Sequence, residues 1–185
     1  MIDEIYSDAQ QRMDKTISVM RENFSKIRTG RASTSLLDHV TVDYYGAEVP
    51  LNQAANVALE DARTITIQPW EKTMVQPIEK AIMTADLGLN PSTAGQVIRV
   101  VLPPLTEDRR KDLVKVIRAE AEDGRVAVRN IRRDANSTLK ELVNEKEISA
   151  DDQHVGETRI QQLTDKHIDR IDSLLEEKEQ EIMTV

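Results

Sequence analysis

Three long stretches of the sequence repeat apolar residues with the 3.6-residue period of an α-helix, and each has only one apolar face. The first stretch covers residues 2–29, and the other two lie between residues 106 and 185. A helix with a single apolar stripe cannot bury that stripe alone, but three such helices can bury their stripes against one another. The sequence therefore predicts a three-helix bundle whose first helix is far in sequence from the other two.

The apolar residues of the three stripes are mostly spaced three, four or seven apart. They are Tyr6, Ala9, Met13, Ile17, Met20, Phe24 and Ile27; then Leu113, Ile117, Ala121, Val128, Ile131, Ala135, Leu139 and Leu142; then Ile160, Leu163, Ile168 or Ile171, Leu174 and Ile182. Thr106 is suited to start the second helix, which we expect to end near Lys146. Ser149 to Asp152 resembles a capping box that opens the third helix. Gly156 lies inside that helix at a cost of about 1 kcal/mol relative to Ala.

Between Gly30 and Pro104 the pattern changes to short β-branched runs separated by turn residues. The runs at 39–45, 63–67 and 97–101 predict strands, and Tyr45-Gly46 predicts a hairpin turn. A helix is predicted over 75–87. Trp70 could be an exposed contact, but a lone Trp in a small domain is more often buried, so we expect it in the core. This block predicts a small α+β domain.

These elements predict an α+β protein with two domains. Residues 1–29 and 106–185 would form the bundle, and residues 31–104 would form a small β/α/β domain inserted between its first and second helices. Two connections, near residues 29–31 and 102–106, would join them. Two short connections can act as a hinge, because a few residues can absorb a rotation while each domain stays rigid. The expected hinge residues are Gly30, Arg31, Pro103, Pro104 and Leu105.

Positive charge is concentrated in one part of an acidic chain. The net charge is -8, yet residues 109–133 contain nine Lys or Arg against four Asp or Glu, a local excess of +5. On a helical wheel, five of these residues fall within about 60° of one another, away from the apolar stripe. We call this set the basic ridge: Lys111, Arg118, Arg125, Arg129 and Arg132. Arg110 and Arg133 flank it.

Two interpretations of the basic ridge remain open at this point. Guanidinium groups bind phosphate bidentately and stack on bases, so the ridge could bind folded RNA. Alternatively, it is a solvated face whose charges pair with nearby carboxylates, and composition alone slightly favours this reading. The candidate carboxylates are Glu120, Glu122, Asp123 and Asp134. The local excess of basic over acidic residues favours RNA, because scattered ion pairs would not require it.

Other functional classes find little support in the sequence. The absence of cysteine excludes disulfides and thiolate chemistry, and none of the glycine-rich phosphate-binding motifs occurs. We expect no catalytic residues, no metal and no cofactor. The N-terminus is acidic and no apolar run approaches membrane-spanning length, so we expect a cytoplasmic protein without a membrane partner. A helical scaffold or oligomerisation protein, whose stripes bind partner helices, is the main alternative.

Several long strings closely resemble the ribosome recycling factor family, in the right order and from end to end of the chain. They are residues 26–33 (KIRTGRAS), 43–46 (DYYG), 86–91 (DLGLNP), 102–106 (LPPLT) with 109–111 (RRK), and 128–135 (VRNIRRDA). The resemblance implies an L-shaped molecule with a flexible hinge, roughly the outline of a transfer RNA. It also implies a translation factor that works on the post-termination ribosome together with elongation factor G.

The resemblance further implies which residues act. Contacts to large-subunit ribosomal RNA would fall on Arg110, Arg129 and Arg132, with Arg28, Arg31 and Arg133 as weaker candidates. Elongation factor G would hydrolyse the GTP, so the chain itself would be no enzyme and would need no cofactor. We expect a monomer that binds the ribosome and elongation factor G, but not DNA.

Overall fold

The computed structural model describes residues 1–27, 30–85 and 87–184. Its contacts group residues 1–27 with 107–184 in one compact unit and residues 30–106 in another. The helices and strands are α1 (Ile2–Ser25), β1 (Thr41–Tyr44), β2 (Ala47–Pro50), β3 (Ala55–Asp61), β4 (Thr64–Pro69), α2 (Val75–Thr84), β5 (Pro91–Ala94), β6 (Val97–Val101), α3 (Glu107–Asn144) and α4 (Ala150–Thr184). The predicted α+β class is confirmed.

In the helical unit, α1, α3 and α4 each pack against the other two. The buried residues of α1 and α3 follow the predicted stripes. Helix α1 is shorter than the predicted 2–29. After Ser25 the Lys26 N–H still donates to the Glu22 carbonyl, but the Ile27 N–H donates to Phe24, three residues back. That tighter bonding ends the helix.

Helix α4 settles the choice between Ile168 and Ile171. Ile171 is fully buried, whereas Ile168 is only half-buried. The predicted capping box is present, because the Ser149 hydroxyl accepts from the Asp152 N–H at 3.0 Å and the Asp152 carboxylate accepts from the Ser149 N–H at 3.1 Å. Two orphan donors at the start of the helix are thereby satisfied.

The glycine inside α4 has a packing reason. A Cβ atom on Gly156 would lie 3.0 Å from the Leu139 Cδ1 atom of α3, closer than nearly all real Cβ contacts. Likewise, a Cβ atom on Gly124 of α3 would lie 3.4 Å from the Ile171 Cδ1 atom and 3.4 Å from the Met20 Sδ atom. Removing the side chain lets neighbouring helices approach closely. Tertiary packing thus offsets the poor helix propensity of glycine.

The small unit contains a four-stranded antiparallel sheet in the order β3-β4-β6-β5, a separate β1-β2 hairpin, and α2. The fully buried side chains of its core include the isoleucines of β4, β6 and α2, which are Ile65, Ile67, Ile98, Ile78 and Ile82. Both central strands, β4 and β6, match predicted runs. The flanking strands β3 and β5 were not predicted. Most of their residues are exposed, so they lack the apolar alternation that marks a half-buried strand.

The hairpin turn was predicted correctly. Tyr45 and Gly46 both have positive φ angles, 53° and 85°, as a two-residue type I′ turn requires. The Asp43 carboxylate accepts from the Gly46 N–H at 2.9 Å and so stabilises the turn. His39, expected at the start of this strand, lies in the turn before it, since β1 begins at Thr41.

The expectation that Trp70 belongs to the core was wrong. Its side chain is 62% exposed. Trp70 directly follows the buried Pro69, where β4 ends. Its backbone N–H donates to the Ala54 carbonyl at 3.2 Å. Aliphatic side chains form the interior of this unit, and the indole lies outside it.

Candidate nucleic-acid interface

The basic ridge lies along α3, but its members have unequal surroundings. Four of the five form an ion pair with a carboxylate, and these pairs are Lys111 with Glu107 (3.2 Å), Arg118 with Glu179 (2.6 Å), Arg125 with Asp172 (2.6 Å) and Glu122 (3.0 Å), and Arg129 with Glu122 (3.5 Å). Arg132 contacts an amide instead. Four members of the ridge thus follow the second interpretation and pair with carboxylates of the protein itself.

Arg118 and Arg125 hold two helices together. Each donates across the bundle to an acidic residue of α4, and Arg125 approaches Asp172 with both Nε (2.8 Å) and Nη2 (2.6 Å). The hydrogen bond to Glu179, and its charge, raise the pKa of Arg118. Burial disfavours the charge of Arg125, but the bonds and charges of Asp172 and Glu122 outweigh burial and raise its pKa. Both groups thus remain charged and bound to the molecule's own carboxylates.

The partners of these two arginines were missed from the sequence. The expected neutralising group included Glu122, which does pair, and Glu120 and Asp134, which instead contact Asn23 and Arg12 of α1. Glu179 and Asp172 are more than forty residues away in sequence. Only the antiparallel packing of α4 on α3 brings them to the ridge.

The stretch from Arg129 to Arg133 is held more loosely. Arg129 reaches Glu122 only at 3.5 Å and is 40% exposed. Arg132 donates to the Gln161 side-chain oxygen at 3.4 Å, and the exposed Arg133 donates to Asn130 at 3.4 Å. These distances exceed the 2.7–3.2 Å of a good N–H···O bond. An external phosphate can replace such contacts at little cost, since exposed pairs contribute at most about 1 kcal/mol.

Arg110 lies at the other end of α3. It is half-buried, and its Nη1 donates to the Met183 carbonyl at 3.0 Å, near the C-terminal end of α4. A guanidinium there interacts favourably with the exposed carbonyls of a helix end. The structure thus places Arg110 away from Arg129, Arg132 and Arg133, by the length of more than four helical turns of α3.

The remaining predicted residues belong to the small unit or lie outside the described part. Arg28 lies outside the described residues. Arg31, Pro103 and Pro104 are exposed. Gly30 has a φ of +80°, and a Cβ there would lie 2.9 Å from the Cγ atom of Leu105, so both conformation and space disfavour a side chain at this position.

A contact between α1 and α4, from the buried His167 to the exposed Asp14, was also missed. His167 is 5% exposed, its Nδ1 lies 2.8 Å from the Leu163 carbonyl oxygen and its Nε2 lies 2.7 Å from the Asp14 carboxylate. A carbonyl oxygen only accepts, so Nδ1 is the donor to Leu163, and the contact of Nε2 with Asp14 links α4 to α1. The sequence signal that could have predicted the burial of His167 is its spacing, since it lies four residues from both Leu163 and Ile171 on the apolar stripe.

Among the described residues, no group of three or more His, Asp or Glu side chains is arranged to hold a metal ion. None of the helices in this part of the chain is long and apolar enough to cross a membrane.

The fold and the arginine cluster describe a two-unit α+β protein with a cationic helical face. The family model described as ribosome recycling factor matches residues 20–183. A ribosome-recycling factor from Nitrosococcus oceani is 62% identical over 185 residues, which covers 100% of this chain and 99% of the relative. The chain belongs to the ribosome recycling factor family, a family of translation factors.

Solved structures agree with this assignment. A solution structure of a ribosome recycling factor matches with a TM-score of 0.73 and 42% identity, over 100% of this chain and 98% of the other. A second match, with a TM-score of 0.62 and 48% identity over 98% of both chains, comes from models for the T. thermophilus ribosome recycling factor and the E. coli elongation factor G bound to the E. coli post-termination complex.

Proposed function

We propose that the chain binds the ribosome after termination and, with elongation factor G and GTP, splits it into subunits and releases it from mRNA for a new round of initiation. The observation that carries this proposal is similarity over the whole chain to ribosome recycling factors, including one placed with elongation factor G on a post-termination complex. Both units and all three helices of the bundle are covered by that similarity.

The proposed contact surface for large-subunit ribosomal RNA centres on Arg129, Arg132 and Arg133, with Arg110 at the far end of α3. The long contacts of the first three support this choice, because a phosphate can offer each guanidinium shorter, charge-assisted bonds. Arg28 and Arg31 are additional proposed contacts. Arg118 and Arg125 keep a structural role, since their carboxylate partners are already close.

The hinge is proposed at Gly30, Arg31, Pro103, Pro104 and Leu105. Gly30 has a left-handed backbone conformation and lies close to Leu105, which is on the other connection. These two features support placing the hinge at these residues. Rotation there would let the small domain pass the movement of elongation factor G on to the ribosome while the bundle stays bound. In this mechanism elongation factor G hydrolyses GTP. The chain makes and breaks no covalent bond and uses no cofactor.

The proposed location is the cytoplasm, and the proposed state is a monomer. The helical scaffold alternative is not favoured, because the apolar stripes of α1, α3 and α4 are buried against one another instead of being available to partner helices. Analytical sedimentation tests this point. A stable dimer without ribosome affinity would support the scaffold.

The decisive experiment is cosedimentation of the full chain with vacant ribosomes, followed by subunit splitting in the presence of elongation factor G and GTP. We expect binding with the chain alone, and splitting only when all three components are present. Binding without splitting, with elongation factor G shown to be active, would contradict the proposed function. The absence of binding would contradict it more fundamentally.

A further inference from the structure

The interhelical ion pairs of the bundle follow a regular register. Arg118 and Arg125 are one heptad apart on α3, and they meet Glu179 and Asp172, which are one heptad apart on the antiparallel α4. Extending the register by one more heptad places Arg132 opposite Asp165. We call each of these arginine–carboxylate pairs between α3 and α4 a clamp. A third clamp is therefore expected between Arg132 and Asp165.

The third clamp is not formed. The Asp165 carboxylate accepts instead from the side-chain amide of Gln161 on its own helix, with 2.9 Å between Nε2 and Oδ1. Arg132 donates to the oxygen of that same amide at 3.4 Å. Gln161 thus bonds to both groups and lies between them in the hydrogen-bond chain.

Only one orientation of the Gln161 amide satisfies both neighbours. A guanidinium has only donors, so it must face the amide oxygen, and an ionised carboxylate has only acceptors, so it must face the amide NH₂. Reversing the amide would oppose like groups on both sides. The two partners therefore set the orientation of the amide, which itself carries no charge.

We propose that Gln161 is a positioning residue that occupies Asp165 and so keeps Arg132 available to bind a phosphate of ribosomal RNA. This inference rests on the proposed function and specifies how one part of its contact surface is maintained. A neutral amide orients the guanidinium without cancelling its charge, and an incoming phosphate can displace it. A carboxylate in the same place would hold the cation as Asp172 holds Arg125.

The test measures ribosome affinity of the full chain by quantitative cosedimentation at about 0.15 M salt, where exposed charges are screened beyond about 8 Å. Gln161→Ala frees Asp165 to pair with Arg132, and we expect affinity to fall about fivefold, a loss of the order of one exposed charge-pair. Asp165→Asn added to Gln161→Ala removes the competing charge, and affinity should return to within about twofold of the original. Asp165→Asn alone should change little.

Gln161→Glu provides a variant in which the charge is introduced directly. We expect affinity to fall about tenfold and the log-log salt slope to decrease in magnitude by about 0.7 to 0.9, the contribution of one phosphate. Gln162→Ala is the matched control, because Gln162 is the exposed neighbour on the same helix and Arg132 donates to Gln161 instead. It should bind normally. Thermal melts of all variants show whether each is folded.

Arg132→Ala distinguishes failure of this inference from failure of the proposed function. If Arg132→Ala binds normally, Arg132 does not belong to the contact surface and the proposal has lost its basis. If Arg132→Ala weakens binding but Gln161→Ala does not, or if Asp165→Asn does not restore it, the positioning role is refuted while the contact surface stands. In the Arg132→Ala background, Gln161→Ala should have no further effect.

Discussion

Two stretches of α3 carry arginines on the same side of the helix, yet they differ in what lies opposite. Around Arg118 and Arg125, the neighbouring α4 offers carboxylates at 2.6 Å. Around Arg132, it offers an amide at 3.4 Å. The first stretch joins two helices, and the second leaves its guanidinium able to bind something else. The same residue type thus has two different surroundings, which depend largely on the neighbouring helix.

This difference has an electrostatic basis. A guanidinium that already has a short bond to a carboxylate must give up that bond before it can bind phosphate, whereas one held by a long bond to an amide gives up little. Positive charge counted along the sequence therefore overstates the charge available to RNA. Within the ridge and its flanks, the stretch from Arg129 to Arg133 is the part that we propose to be available.

The largest expected effect comes from reversing one charge in the available stretch. Arg132→Glu should weaken ribosome binding about 100-fold, because it removes a charge-assisted contact and places a negative group next to phosphate. The thermal melt should stay nearly unchanged, since Arg132 makes only a 3.4 Å contact within the bundle. Normal binding by a folded variant, measured by cosedimentation at physiological salt, would remove this stretch from the contact surface.

Ionic strength tests whether the contacts are electrostatic. With about three phosphates bound, affinity should fall roughly 20- to 40-fold between about 50 and 200 mM salt. Arg118→Ala should leave that slope unchanged, because its guanidinium is bound to Glu179. Arg132→Ala should make the slope shallower. Equal slopes in the two variants would contradict the distinction between the two stretches.

Truncating a clamp should affect stability instead of affinity. Arg125→Ala breaks the bonds to Asp172 and Glu122, and we expect the unfolding free energy to fall by about 1 kcal/mol after allowance for solvent screening. That corresponds to a decrease in Tm of roughly 3 °C for a chain of this size. Arg133→Ala, which removes an exposed guanidinium, is the matched control and should melt normally. Calorimetry measures both.

A smaller effect comes from the start of α4, far in sequence from the clamps. Ser149→Ala removes the hydroxyl that accepts from the Asp152 N–H, and loss of a cap of this kind costs about 0.5–1 kcal/mol. Affinity and salt slope should not change. If they did, ribosome binding would depend on stability in general, and the comparison between the two stretches of α3 would be weakened.

The same cap predicts an effect of acid. The N–H and hydroxyl of Ser149 lower the pKa of Asp152 below its ordinary value of 3.8. A carboxyl whose pKa is lowered by folding stabilises the protein above its unfolded pKa, and this stabilisation is lost as the pH falls through the lowered value. Circular dichroism during acid titration should therefore show a smaller change in stability below about pH 4 for Asp152→Asn than for the original chain.

Much of the fold could be predicted because its signals are local. The helical stripes, the capping box at Ser149 and the Tyr45-Gly46 turn depend on residues within a few positions of one another. Strands β3 and β5 were missed because exposed edge strands carry little pattern. Trp70 was misplaced because the usual burial of a lone Trp says nothing about whether an interior is already full.

The sequence by itself determined which residues form α3, and that Arg118, Arg125 and Arg132 lie on one side of it, since both follow from helical period. Only the tertiary structure decided which of them face a carboxylate. The antiparallel packing of α4 on α3 brings Glu179, Asp172 and Gln161 to the ridge. In the same way, the packing of α4 on α1 brings His167 to Asp14. Ion pairs between helices depend on distances in space, and a linear pattern does not contain them.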